Sequence, residues 1–221
     1  MGSLTQLQKS VLIGSLLGDG YLRIVPERKN AFLEVNHSIK EKEYVDWKFK
    51  IFRNICISEP KMRSGKDGRI AYRFFTKQHS ELTKFHKIFY RNGQKVIPSN
   101  LQLNPIILSV WFMDDGSRCS DSDFYLNSQE FIKEDQEKLV EKLEILGLKA
   151  RLNRDKKYYR IRFLSPSIPR LKNMIRNYLR PSMYYKLGYN PVETCPSNRD
   201  GVLLSKRRAK TLAPIKYFNV I

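Results

Sequence analysis

The chain has 221 residues, 41% of them hydrophobic, enough to bury one large core or two small ones. Its 41 lysines and arginines against 22 acids leave a formal charge of +19, spread as +10 over residues 1–100, +5 over 101–190 and +4 over 191–221, which implies a polyanionic partner held along an extended surface. No run of 18 apolar residues and no basic amphipathic helix argues for a membrane, and the three cysteines Cys56, Cys119 and Cys195 have neither metal spacing nor the even number of a disulfide scaffold, so a reducing compartment is expected.

Taken in order, the chain opens on Leu12–Gly20, LIGSLLGDG, an apolar run of helical length that ends in an acid and a glycine. No signal-peptide pattern precedes it. Strands are expected at Tyr21–Val25 and Ala31–His37 around a charged turn that holds Arg28 and Lys29. Next comes a helix over about Glu41–Ile55, with Tyr44, Val45, Phe49, Phe52 and Ile55 on its apolar face and Lys42, Glu43, Asp46 and Lys50 in solvent. Strands Lys61–Ser64 and Arg69–Thr76 flank Gly65–Gly68, and a helix covers Ser80–Tyr90. From Pro105 the same order returns. A second run, Leu108–Gly116, LSVWFMDDG, leads into strands at Ser117–Cys119 and Phe124–Ser128. A helix at Glu134–Leu146 stopped by Gly147, strands at Lys149–Arg154 and Tyr158–Phe163, and a last helix at Pro169–Tyr178 complete it. The reading is an α+β fold made of duplicated αββαββα units, residues 1–100 and 101–190. A basic extension, 191–221, follows and includes the run Ser205–Lys210.

Asp19 and Asp115 fall at helix C-termini, where the macrodipole disfavours an acid by roughly 0.3–1 kcal/mol. Gly20 and Gly116 are expected to end these helices in the left-handed conformation. One Asp-Gly pair reads better as a hairpin turn; two pairs in matching surroundings reverse that preference. The small residues Gly14, Ser15 and Ser109 would let the two helices pack closely and bring both carboxylates into one site. Such a pair wants a shared proton, a lysine or a divalent cation.

The strands carry a further pattern. Lys149, Arg151 and Asn153, then Tyr158, Arg160 and Arg162, alternate with apolar residues, and Lys61, Arg63, Arg69 and Arg73 repeat the pattern in the first half. A solvated outer face is the plain alternative. Its appearance on corresponding strands of both halves favours a twisted cationic surface suited to the major groove, to which Arg23, Glu34, Asn36 and Arg118 would add.

The two motifs resemble those of the LAGLIDADG homing endonucleases, in the single-chain form with two motif copies, and WFMDDG is similar to the subgroup found in mobile introns of organelles. The first copy departs from the pattern at Ile13, Ser15 and Leu17, and the second has Val110 for the usual glycine, which implies looser helix packing there. The resemblance covers about residues 5–190. It implies a pseudo-twofold molecule with two central motif helices and two antiparallel sheets forming a DNA-binding saddle. It also implies catalytic aspartates Asp19 and Asp115, with Mg²⁺, or Mn²⁺ in its place, held by them and by the carbonyls of Gly18 and Asp114. Lys95, before Val96-Ile97-Pro98, and Lys186, in Tyr184-Tyr185-Lys186-Leu187, would stand beside the scissile phosphates; composition alone would call both surface lysines. Gln129, and His37 as its counterpart, would organise solvent. The expected activity is a staggered double-strand break with short 3′ overhangs in a long double-stranded DNA target. The protein would be a monomer made in an organelle, with no membrane and no small-molecule substrate. A maturase that binds intron RNA, or a non-catalytic DNA-binding regulator on the same fold, is the competing class. A basic structural protein would leave the paired acids unexplained.

Overall fold

The computed structural model describes residues 2–65 and 68–189. Lys66 and Asp67 of the expected turn, Cys195 and the basic run at 205–210 lie outside the described residues. The chain runs α1 (Gln6–Leu17), β1 (Tyr21–Arg23), β2 (Phe32–Ser38), α2 (Lys42–Phe52), β3 (Lys61–Ser64), β4 (Ile70–Phe75) and α3 (Ser80–Phe89). A small hairpin of β5 (Tyr90–Arg91) and β6 (Gln94–Lys95) follows. The order then repeats as α4 (Pro105–Asp115), β7 (Gly116–Ser120), β8 (Asp123–Leu126), α5 (Lys133–Ile145), β9 (Ala150–Asp155), β10 (Tyr158–Phe163) and α6 (Ile168–Ile175), and a 3-10 helix spans Pro181–Leu187. The duplicated αββαββα order is therefore present. It forms two antiparallel four-stranded sheets of matching topology, β1-β2-β4-β3 and β7-β8-β10-β9.

Local chemistry explains the element ends. Thr5 and Gln8 form a reciprocal capping box at the start of α1. Asn104 caps α4, with Pro105 in its first turn where no amide is needed. Gly147 stops α5 with φ +74°, as expected. Asn92 and Gly93, both at positive φ, turn the hairpin that presents Lys95. Such an Asn-Gly turn between short strands is legible in sequence, but the hairpin was not among the expected elements.

The core lies between the sheets and helices, and α1 and α4 are its centre. Val11, Leu12, Ile13, Leu16 and Leu17 meet Ile107, Leu108, Trp111 and Phe112, all with no exposed surface. Apolar side chains on every side suit helices enclosed by the rest of the protein. The two helices pack tightly where looser packing was expected. A Cβ on Gly14 would stand 2.6 Å from Val110 Cβ and 2.7 Å from the Ile107 carbonyl. One glycine on α1 thus accommodates the branched residue on α4.

Candidate functional site

The close approach of α1 and α4 brings their C-terminal ends together. Asp115 is the last residue of α4, and Asp19 stands two residues beyond α1, after the amides of Gly18 and Gly20 close onto the Ser15 carbonyl at 3.1 and 2.7 Å. Neither glycine after the acids is left-handed, contrary to expectation. Gly116 is extended at φ −69°, and Gly20 is not among the positive-φ residues. Both serve by lacking a side chain: a Cβ on Gly20 would fall 2.6 Å from Ser15 Cβ, and one on Gly116 2.3 Å from the Phe112 carbonyl.

Asp19 and Asp115 line one open recess of about 530 Å³, with Lys95, Asn127, Glu130 and Ile132 around them. Burial pushes the Asp115 carboxyl up to about 8, helped by the charges of Asp19, Asp114 and Glu130. Burial and then Asp114 raise Asp19 as well, and burial raises Glu130. Clustered acids of this kind disfavour their own ionisation and favour a cation. Oxygen donors in an open recess suit a hard divalent ion.

The two lysines singled out in sequence stand at equivalent places. Lys95 Nζ donates to the Gly18 carbonyl at 2.6 Å and pairs with Glu130 at 3.1 Å. Lys186 Nζ donates to the Asp114 carbonyl at 2.9 Å and to that of Met113, and its burial lowers its pKa. Each ammonium therefore rests on the main chain immediately before a motif aspartate. His37 Nδ1 lies 3.0 Å from Glu41 and 3.5 Å from Asp19. The hydrogen bond from His37 lowers Glu41. Gln129 is half-buried in the turn after β8, and the residues of that turn region that reach the recess are Asn127 and Glu130. Asn127 Nδ2 donates to the Asp115 carbonyl at 2.8 Å.

The side chain of Asp114 has a role that sequence reasoning missed. It is fully buried against an equally buried Lys48 from α2, with Nζ 2.9 and 3.0 Å from its two oxygens, and the Tyr44 hydroxyl donates to it at 2.7 Å. Burial, then the Asp114 charge, drives Tyr44 well above its ordinary pKa. His37 Nε2 is buried without a hydrogen-bond partner, 3.8 Å from Asp114 Oδ1. Asp19, His37 and Asp114 each offer a ligand atom within 4.8 Å of the others, which adds donors suited to a metal. The signal in sequence was the i, i+4 row Tyr44, Lys48, Phe52, which puts a lysine on the apolar face.

The expected cationic face is present on both sheets. On the first, Arg23, Glu34, Asn36, Arg73, Lys61 and Arg63 share the side opposite the core, as the register Lys61↔Arg73, Asn36↔Arg73 and Tyr21↔Glu34 requires. On the second, Arg151, Asn153, Tyr158, Arg160 and Arg162 do the same. Arg28 and Lys29 are exposed in the β1–β2 turn, and Arg69 and Lys149 are exposed immediately before β4 and β9. Arg118 departs from the expected face. It pairs with the core-facing Phe124 just before a register shift in β7, its guanidinium covers Gly188, and it is ion-paired with Asp121. Tyr125, under the Arg160 guanidinium at 4.1 Å, belongs to this surface and was missed.

A family profile described as LAGLIDADG DNA endonuclease matches residues 9–171. A Wickerhamomyces canadensis protein named "Probable intron-encoded endonuclease 1" is 29% identical over 204 residues, covering 85% of this chain and 87% of that one. The cytochrome b mRNA maturase bI2 of Debaryomyces hansenii is 28% identical over 190 residues, 80% of this chain and 72% of that one. Among solved structures, the homing endonuclease I-WcaI bound to its DNA recognition sequence superposes with TM-score 0.80 at 27% identity, covering 86% and 89% of the two chains.

Proposed function

The chain belongs to the LAGLIDADG DNA endonuclease family, and from that premise we propose that it is a site-specific homing endonuclease making a metal-dependent staggered double-strand break in a long DNA target. The observation that carries this reading is the meeting of Asp19 and Asp115 in one recess at the ends of two packed helices, between two cationic sheets. Residues 1–100 and 101–190 act as two subdomains of a monomer, each addressing one DNA strand.

Asp19 and Asp115, with the carbonyls of Gly18 and Asp114, would hold the divalent cation, Mg²⁺ or Mn²⁺. These carbonyls each keep a second lone pair beside the one given to a lysine. When bound, the cation supplies Lewis-acid stabilisation of phosphate charge. The protein's own groups do the rest. Lys95 and Lys186 place ammonium charge where negative charge grows on each scissile phosphate, and they order the attacking water. His37 on one side and Asn127 with Glu130 on the other orient solvent for in-line attack. The sheets hold the duplex so that both phosphates reach the recess, which leaves short 3′ overhangs.

Incubation of the purified chain with a randomised DNA library and Mg²⁺, followed by sequencing of cleaved ends, should recover long sites with a staggered break. Tight binding in Ca²⁺ without any cleavage in Mg²⁺ would overturn the reading. The likeness to a cytochrome b mRNA maturase supports a second activity on intron RNA, tested by splicing of an intron transcript in its presence. Both named relatives also support an origin in an organellar intron.

A further inference from the structure

Among the described residues, the cationic face of the first sheet contains one acid, and its setting is built. Glu34 is 16% exposed at the side chain and lies between two arginines, Arg23 at 3.2 Å and Arg73 at 3.8 Å. Arg73 lies over the Phe75 ring at 5.0 Å, and Phe75 meets Phe32 edge-on, so the second arginine is fixed from below. Arg23 is 57% exposed and projects beyond the pair. Together with Asp19, Tyr21 and Asn36, Arg23 and Glu34 line an open recess of about 360 Å³ that borders the proposed cleavage site. The second sheet repeats the device with Asp123 on β8 held by Arg162 on β10.

A carboxylate on a surface that faces phosphates weakens association, because every phosphate contact is driven by positive charge. What it adds is an acceptor next to donors. The guanidinium of Arg23 has five N–H groups and gives one to Glu34, which leaves a fork of donors for a ligand, while Glu34 keeps lone pairs. In the major groove a G·C pair presents two acceptors, guanine N7 and O6, followed by one donor, cytosine N4. An A·T pair presents acceptor, donor, acceptor and a methyl group, so it sets an amino group against the fork and an oxygen against the carboxylate.

We propose that Arg23 and Glu34 read one G·C pair as a unit on the Asp19 side of the cut, Arg23 on the guanine and Glu34 on the cytosine, with Arg73 holding the carboxylate in place. The assignment rests on the endonuclease reading and adds the base pair that this recess selects.

The test uses the full chain in Ca²⁺, so that binding is read without cutting. Targets are selected from a randomised duplex library and then compared by competition with all four base pairs at each position. The parent should require G·C at one position on one side of the centre, and exchange for A·T should weaken binding about 5- to 150-fold. Arg23→Ala should lose that preference while keeping those at other positions. Glu34→Ala should bind the exchanged target more tightly than the parent does, so that discrimination falls at that pair alone. The near-isosteric Glu34→Gln repeats the measurement without a change of shape. Variants that keep the parent's preference at every pair, or that lose affinity equally for all targets, would overturn the assignment while leaving the endonuclease intact. Failure of the parent to select any DNA would overturn the endonuclease reading itself, and this assignment with it.

Discussion

The surroundings of the two motif aspartates differ although the elements that carry them correspond. On the Asp19 side stand a histidine, Glu41 and a buried lysine with its own carboxylate partner. On the Asp115 side stand Lys95, Glu130 and Asn127, and the Asp115 carboxyl is pushed up to about 8. Duplication supplied two copies of a scaffold, and the groups packed around each acid have since become different. The backbone repeat is set by hydrophobic pattern and helix packing, which many residues satisfy. The electrostatic environment depends on a few polar positions, and each half has changed its own.

The largest expected effect tests whether both sides are needed. Asp19→Asn and Asp115→Asn should each reduce double-strand cleavage by about 10³-fold or more, since metal-held charge stabilisation is worth several kcal/mol. Strand-specific end labelling should show that each variant protects a different strand; loss of the same strand in both would merge the two sides into one. Next comes the buried pair that, among the described residues, stands only beside Asp19. Lys48→Met strands the Asp114 charge and should destabilise the fold by about 3–5 kcal/mol in urea unfolding, whereas Lys48→Met with Asp114→Leu should recover most of that loss. His37→Ala should slow cleavage of one strand about 10- to 100-fold, as removal of a group that orients a metal ligand does. The smallest effect belongs to Asn127, on the Asp115 side. Asn127→Ala removes one hydrogen bond to the Asp115 carbonyl and should cost about 0.5–1.5 kcal/mol, read as a modest rate change on the opposite strand.

The sequence revealed most of the frame. The two apolar runs ending in Asp-Gly, the paired strands and the glycine stop at Gly147 are local patterns with local causes, and each stands where expected. Lys95 and Lys186 became legible through the family motif, and both rest on the main chain before an aspartate. The site's asymmetry was not legible. Lys48 is buried only because Asp114, 66 residues later, arrives opposite it, and a helical pattern reports a face without saying what it meets. Gly20 and Gly116 were read as left-handed caps because glycine usually has that use. Here the need is for absent side chains against Ser15 and Phe112, which only packing reveals. Arg118 was misplaced because strand pairing sets it opposite the core-facing Phe124, and its charge does not announce that pairing.

Gly18 and Asp114 occupy the same place in the two motifs, and the space a Cβ on Gly18 would need is filled by Asp114, 2.4 Å away at its own Cβ. The halves therefore fit as lock and key, and neither fits itself. Two copies of the first half would leave the buried Lys48 without its carboxylate, and two copies of the second would press one Asp114 carboxylate into another with a single volume to share. Split between the motifs and expressed as two polypeptides, the protein should reassemble only as the mixed pair.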